Sequence, residues 1–217
     1  MPRTIALGDI HGCAAAFDAV LDALQPRSDD TLVILGDVID RGPASRDVVE
    51  RLLALRQRLR LVTLRGNHEL MLLAAAENEV EYDFWLRYGG RQTLASYGKS
   101  LDDIPPAHWE FFRELLPYYE IPGFYFVHAN YAADVNFEDQ PDYLRYWEHL
   151  HAEQLPPPHE SGRTVLVGHT AQRSGEILDG GHVICLDTCC HGGGWLTALD
   201  VHSRKIWQAD RLGRMRG

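Results

Sequence analysis

Long apolar runs are missing from this chain. No stretch approaches the roughly 18 residues that a membrane-crossing helix needs. The first residues carry no apolar leader and pass straight into a strand-like run at 4–7. No membrane partner is therefore expected, and the reading is cytoplasmic. Positive charge is also short: 21 Lys and Arg face 31 Asp and Glu, a formal net charge of −10. A nucleic-acid backbone demands clustered cations, so no nucleic-acid partner is expected. A small phosphorylated substrate stays compatible, since a bound cation inverts the local field. Cysteine is sparse. Cys13, Cys185, Cys189 and Cys190 lack the density and spacing of a disulfide framework. The neighbours Cys189 and Cys190 read most simply as reduced thiols, with a redox pair or soft metal ligands as the alternatives. Repeats, low-complexity tracts and linkers are absent. The 217 residues suit one domain over 1–217 with a sizeable core.

What is present is one device used repeatedly: an apolar run ends in a glycine, and polar side chains follow. The run 4–7 leads to Gly8-Asp9-Ile10-His11-Gly12, and helical apolar spacing resumes over 13–24. The run 31–35 leads to Gly36-Asp37-Val38-Ile39-Asp40-Arg41-Gly42-Pro43, with a helix expected from 43 to about 57. The run 59–64 leads to Gly66-Asn67-His68-Glu69, before a helix over 70–76. Three such strand–helix units predict a layered α/β fold with parallel strands and right-handed crossovers. Residues 79–117 read as an aromatic-rich helical insertion, broken by Gly89-Gly90 and Pro105-Pro106. Its aromatics either pack a core or cap a substrate. The run 124–127 then leads to His128-Ala129-Asn130, and 164–167 to Gly168-His169-Thr170. Residues 132–143 read as loop. The runs 176–178, 182–186, 195–201 and 205–208 read as antiparallel strands, and 211–216 as a frayed basic end.

Strand ends thus deliver Asp9, His11, Asp37, Asn67, His128 and His169, the usual location of ligand sites in α/β sheets. Each alone has an ordinary explanation, as a turn residue or a hydrogen-bonded core histidine. Together they would leave unpaired polar groups in a buried cleft, at a cost of several kcal/mol by order of magnitude, which cations remove. Mixed oxygen and nitrogen donors suit divalent manganese, iron or zinc. Two ions at roughly 3.5–4 Å need a bridging carboxylate, and Asp37, whose cluster lies between the other two, is the natural bridge. Asp9 and His11 fall to one ion; Asn67, His128 and His169 fall to the other. A water shared by both would be acidified and serve as nucleophile on a phosphoryl group. His68, beside Asn67 but without a metal, is placed to protonate the leaving group, with Asp40 orienting it. Asp40 as a helix cap or as the ion-pair partner of Arg41 is the competing reading. Arg41 offers a planar fork for phosphate oxygens.

These motifs resemble the phosphoprotein phosphatase family of calcineurin-like metallophosphoesterases. The segments opening at Gly8, Gly36 and Gly66, then Val127-His128-Ala129 and Gly168-His169-Thr170, follow the family's order across most of the chain. The resemblance implies a four-layer α/β/β/α architecture, a central mixed β-sandwich flanked by helices, with a bimetal site. Small bacterial and phage members of the family include serine/threonine protein phosphatases, some also acting on phosphotyrosine, and symmetrical dinucleoside tetraphosphate hydrolases. The expectation is a metal-dependent phosphomonoesterase of the protein serine/threonine phosphatase type. It would use two divalent ions, manganese first, with a phosphorylated protein or a small phosphoester or nucleotide as substrate. The alternative is a symmetrical dinucleoside tetraphosphate hydrolase, for which Arg87, Arg91 and the aromatics between Tyr82 and Tyr97 would build a longer groove. A catalytically silent phosphate-binding module comes third. Two departures stand out. Asn130 follows the His-Ala pair where the family often has Gly. The Trp-x-Arg segment of small bacterial members, whose Arg holds phosphate, reads here Leu144-Arg145-Tyr146-Trp147-Glu148-His149. His149 stands at the Arg position, so Arg145 is the substitute phosphate anchor, with Arg91 the next candidate.

Overall fold

Successive side chains on a strand point to opposite faces, and the inner strands of the first sheet here feed two separate cores. In the computed structural model, which describes residues 2–217, β1 (Thr4–Leu7) sends Ile5 and Leu7 toward helices and Ala6 toward a second sheet. β2 (Thr31–Ile34) divides the same way, Leu32 and Ile34 against Val33. β1, β2 and β3 (Arg60–Thr63) are parallel neighbours, so the chain must cross over between them. α1 (Ala14–Leu24) and α2 (Ser45–Arg56) make the crossings and seal the outer core with Phe17, Val20, Val48, Val49 and Leu52. Each fully buried side chain of this size contributes on the order of 1.5–3 kcal/mol.

α3 (Asn67–Ala75) begins at Asn67 rather than at Leu70, because the Glu69 carboxylate accepts the Gly66 N–H and closes the first turn. The aromatic-rich segment folds as α4 (Glu79–Trp85), a π-helical turn at Leu86–Gly90, α5 (Arg91–Tyr97) and α6 (Pro106–Glu114). Trp85, Tyr97, Phe111 and Phe112 join the outer core, whereas Phe84 and Tyr88 stay exposed. β4 (Tyr118–Ile121), not singled out by the sequence pattern, pairs antiparallel with β5 (Phe124–Val127).

α7 (Asp142–Tyr146) emerges from the end of the segment expected as loop. β6 (Thr164–Val167), β7 (Leu178–Asp179) and β8 (Val183–Cys185) complete the second sheet, in the order β4-β5-β6-β8-β7. β8 is antiparallel to β7 across the Gly180-Gly181 turn but parallel to β6. β9 (Trp195–Asp200) and β10 (Ile206–Asp210) return to the first sheet, giving β10-β9-β1-β2-β3. The two mixed sheets pack through Ala6, Val33, Leu64, Phe126, Leu166 and Ile184. Helices cover the first sheet. The second is covered by chain carrying Tyr131, Phe137 and Leu150, with Arg145 of α7 lying over the Tyr118 ring. The basic C-terminal stretch is tied down rather than frayed: Arg214 pairs with Asp210, and Arg216 with Glu176 and Gln208. Among the described residues no helix is long and apolar enough to cross a membrane.

Candidate active site

The carboxyl ends of β1, β2, β3, β5 and β6 open onto one cleft. Two groups meet there with ligand atoms within 4.8 Å of one another: His11, Asp37 and His68, and Asp37, His128 and His169. Asp37 belongs to both. Its Oδ2 lies 3.5 Å from His11 Nε2, and its Oδ1 lies 3.5 Å from His128 Nε2. Asn67 Oδ1 is 3.1 Å from both His128 Nε2 and His169 Nδ1. Asp9 stands at the edge of the first group, 3.9 Å from His11 Nε2, and accepts the His169 N–H. So close an approach depends on glycine. A Cβ on Gly66 would lie 2.0 Å from Asp37 Oδ1, and one on Gly168 would lie 2.1 Å from Asp9 Oδ1. The glycine before four of the five polar clusters, all but the one at His128, is a clearance requirement.

The hydrogen bonds around the cleft test whether cations fit it. His11 Nδ1 donates to the Ile39 carbonyl at 2.8 Å, and His128 Nδ1 to the Leu35 carbonyl at 2.7 Å. His169 Nε2 donates to the Trp147 carbonyl at 3.1 Å. A neutral ring that donates from one nitrogen presents a bare lone pair on the other. The lone pairs of His128 and His169 face the oxygens of Asp37 and Asn67, acceptor against acceptor, while that of His11 faces Asp37 Oδ2 and is met by Arg41 Nη1. Asp9, His11, Asp37, Asn67, His128 and His169 thus fit a pair of divalent cations by donor chemistry and by unmet polarity.

Charge states agree with this division. Burial lowers His11 and His128, and burial with His128 takes His169 down to about 3, so these rings are neutral, as metal ligands would have to be. Burial would raise Asp37, but the surrounding histidines outweigh it, with His68 the ring held in its charged form, and keep its carboxyl well below the usual range. Burial and the nearby Asp187 push Asp9 well above that range, a state that a cation reverses.

His68 is bonded differently. Its Nδ1 lies 2.7 Å from Asp40 Oδ2. The same carboxylate accepts the Trp85 indole N–H at 2.8 Å and the Thr93 hydroxyl at 2.6 Å. The contacts of the Asp40 carboxylate therefore run to His68 and the insertion, not to a helix end or to Arg41. His68 Nε2 is buried, has no hydrogen-bond partner among the described residues, and lies 3.9 Å from Asp37 Oδ2. Burial disfavours its charged form, but Asp37 and the bond to Asp40 prevail and hold His68 above the ordinary histidine range. One imidazole is primed to carry a proton beside three that are not.

Arg41 Nη1 donates to His11 Nε2 at 2.9 Å, which sets the guanidinium at the cleft. Arg145 is placed elsewhere, and its expected role as phosphate anchor is corrected. Its buried guanidinium lies over the Tyr118 ring and donates to the Phe137 and Glu138 carbonyls and to Asp142. Those bonds engage both terminal nitrogens in fastening a loop. His149 is the residue beside the cleft, its ring stacked on His169 with centroids 4.5 Å apart.

Three further residues shape the site. Glu69 accepts the backbone N–H groups of Gly66, Val38 and Asp37 at 2.8, 2.9 and 3.0 Å, locking two ligand loops together. Asp187, 1% exposed, accepts the Cys189 N–H at 3.0 Å and keeps Oδ2 without a hydrogen-bond partner among the described residues. It follows β8 as the ligands follow their strands, so its position carried a signal. His191 stands edge-on to His11, with ring centroids 4.8 Å apart. It lies in a glycine-rich turn, where no periodicity marks it. A cavity of about 570 Å³ opens beside it, lined in part by Arg41, Arg87, Tyr88 and Arg91.

The profile of the calcineurin-like phosphoesterase family matches residues 2–201. The chain belongs to that family. Likeness to individual proteins is narrower. The chain is 43% identical over 72 residues, 33% of its length, to the symmetrical bis(5'-nucleosyl)-tetraphosphatase of Burkholderia pseudomallei, and the match spans only 25% of that relative. A solved structure provisionally described as a diadenosine tetraphosphatase superposes with a TM-score of 0.73 at 24% identity, over 96% of this chain and 95% of that one. The cold-active protein-tyrosine phosphatase of a psychrophilic Shewanella superposes with a TM-score of 0.69 at 16% identity, over 100% of this chain and 80% of that one. Likenesses at these identities establish the fold, two mixed sheets with flanking helices.

Proposed function

We propose that this chain is a metal-dependent phosphoric ester and anhydride hydrolase whose preferred substrate is a dinucleoside polyphosphate, opened symmetrically. The observation that carries this choice is the cavity of about 570 Å³ beside the cleft, within the ~300–1,000 Å³ range of small-ligand sites. Arg41, Arg87 and Arg91 line it. In a chain of net charge −10, converging guanidiniums mark a path for an oligophosphate. Tyr88, 49% exposed, tilts against Phe84 with ring centroids 4.6 Å apart, and an open aromatic pair suits a nucleobase. The local identity to a symmetrical tetraphosphatase supports the same reading. A phosphoserine side chain would reach the cleft and leave the cavity's guanidiniums unused.

Asp9, His11, Asp37, Asn67, His128 and His169 would hold two divalent ions, of manganese, iron or zinc, which polarise phosphoryl oxygens and acidify the attacking water. The protein's own part is positional. Arg41 presents its fork to non-bridging phosphate oxygens. Arg87 and Arg91 neutralise phosphates beyond the scissile bond. Asp40 anchors Nδ1 of His68, so that Nε2 faces the cleft and delivers a proton to the departing oxygen. Trp85 and Thr93 keep Asp40 from rotating away.

The test compares substrates with manganese added. Diadenosine tetraphosphate should yield ADP with a kcat/KM roughly tenfold or more above that of phosphoserine and phosphotyrosine peptides. A preference for either peptide would overturn the choice of substrate and restore the protein-phosphatase reading.

A further inference from the structure

A second cavity, of about 530 Å³, lies where α1 and α2 begin. It shares Arg41 and His191 with the first, while its remaining walls are disjoint from it. Both shared residues touch His11: Arg41 through a hydrogen bond and His191 through its ring. The two cavities therefore meet at the cleft, and their volumes are nearly equal.

We propose that the second cavity is the seat of the other nucleoside of the substrate, so that one dinucleotide lies across Arg41 and His191 with a half in each chamber. The inference rests on the dinucleoside polyphosphate reading and adds a location for each end of the molecule. Symmetrical cleavage demands it: when the bond at the centre breaks, equal lengths of substrate extend to either side of the central bridging oxygen. The chemistry of the walls fits a nucleoside and its adjoining phosphate. Ala15, Pro43, Ala44 and Leu212 give an apolar lining, and Leu212 is 65% exposed, open to cover by a base. The carboxylates of Asp18 and Asp47 on the same wall are engaged by Arg51, which leaves Arg211 to face a phosphate. Neither Cys13 nor Ala44, the residues that open α1 and α2, caps its helix with a side chain, so backbone N–H groups add to the positive wall.

The experiment blocks this chamber and asks whether the second nucleoside is what suffers. Ala15→Trp fills it from an exposed helix position, and Arg211→Ala removes its cation. Each variant and the manganese-loaded wild type are assayed on diadenosine tetraphosphate and on adenosine 5'-tetraphosphate, whose single nucleoside is served by the first cavity. The expected result is a fall in the ratio of the two kcat/KM values on the order of tenfold, driven by KM for the dinucleotide. Thermal unfolding of each variant checks folding, and Arg211→Ala, on the surface, stands in should Ala15→Trp fail to fold. A ratio unchanged within roughly twofold in the folded variants, with wild type still cleaving the dinucleotide, overturns the two-chamber placement alone. Wild type that leaves the dinucleotide intact overturns the substrate reading and this inference together.

Discussion

His11, Asp37, Asp40, Arg41 and His169 all hold φ between 43° and 69°, a left-handed conformation that L-residues avoid. Such strain costs of order 1–3 kcal/mol per residue and gathers where a fold over-determines its functional groups. Here it gathers at the acceptor-against-acceptor cleft. Among these side chains His68 has the most separable role. His68→Asn is expected to slow hydrolysis of a poor leaving group, such as an alkyl phosphate, by roughly 10²–10⁴-fold, the share of a proton-transfer group. With p-nitrophenyl phosphate, whose leaving group needs no proton, the loss should be much smaller. Equal losses on both substrates would reduce His68 to a packing residue. The site was legible in sequence to the extent that its residues follow a glycine at a strand end. Arg145 shows the limit: whether a guanidinium meets phosphate or fastens a loop depends on Tyr118 and the carbonyls at 137–138, which no local pattern discloses.

Among the elements, the exit of α1 is stapled to the start of β1 by one buried carboxylate. Asp30, 1% exposed, accepts the backbone N–H groups of Arg3 at 3.0 Å and Arg27 at 2.8 Å. Arg3 reaches on to the carbonyls of Leu24 and Gln25 that end the helix. Burial would raise Asp30, but its bonds to Arg3 and Arg27 outweigh it and hold the carboxyl well below the usual range. A carboxylate depressed by folding adds stability above its unfolded value of about 3.9 and surrenders it as the pH falls further. Asp30→Asn should therefore cost about 2 kcal/mol in urea unfolding at pH 7 and clearly less at pH 3. A cost independent of pH would locate its source outside the ion pair. The parallel strands β1, β2 and β3 were readable in advance because short apolar runs and glycine punctuation coincide there. β4 was not, since Tyr118-Tyr119-Glu120-Ile121 shows neither a purely apolar run nor a closing glycine with polar residues behind it, and becomes a strand through pairing with β5. Nor did the insertion reveal that Trp85 and Thr93 reach back to Asp40; contacts so distant in sequence leave no trace in local spacing.

For the molecule as a whole, the decisive fact is that both sheets furnish the cleft. Asp9, His11, Asp37 and Asn67 arrive from the first, His128 and His169 from the second. Cations that need the assembled set bind the folded chain alone and stabilise it by mass action. At a manganese concentration a hundredfold above Kd, the gain of about 2.7 kcal/mol should raise Tm by roughly 5–10 °C. Asp37→Asn, which removes the carboxylate common to both groups, should erase that rise. A rise surviving in the variant would place the ions elsewhere.

The thin seam of Ala6, Val33, Leu166 and Ile184 between the sheets then acquires a second meaning. It works as the spacer of a caliper whose jaws are the two banks of proposed ligands. Thickening or thinning it would move His128 and His169 together relative to Asp37. Variants deep in the interior, far from any substrate, should reveal themselves first as weak metal binders and only later as unstable proteins.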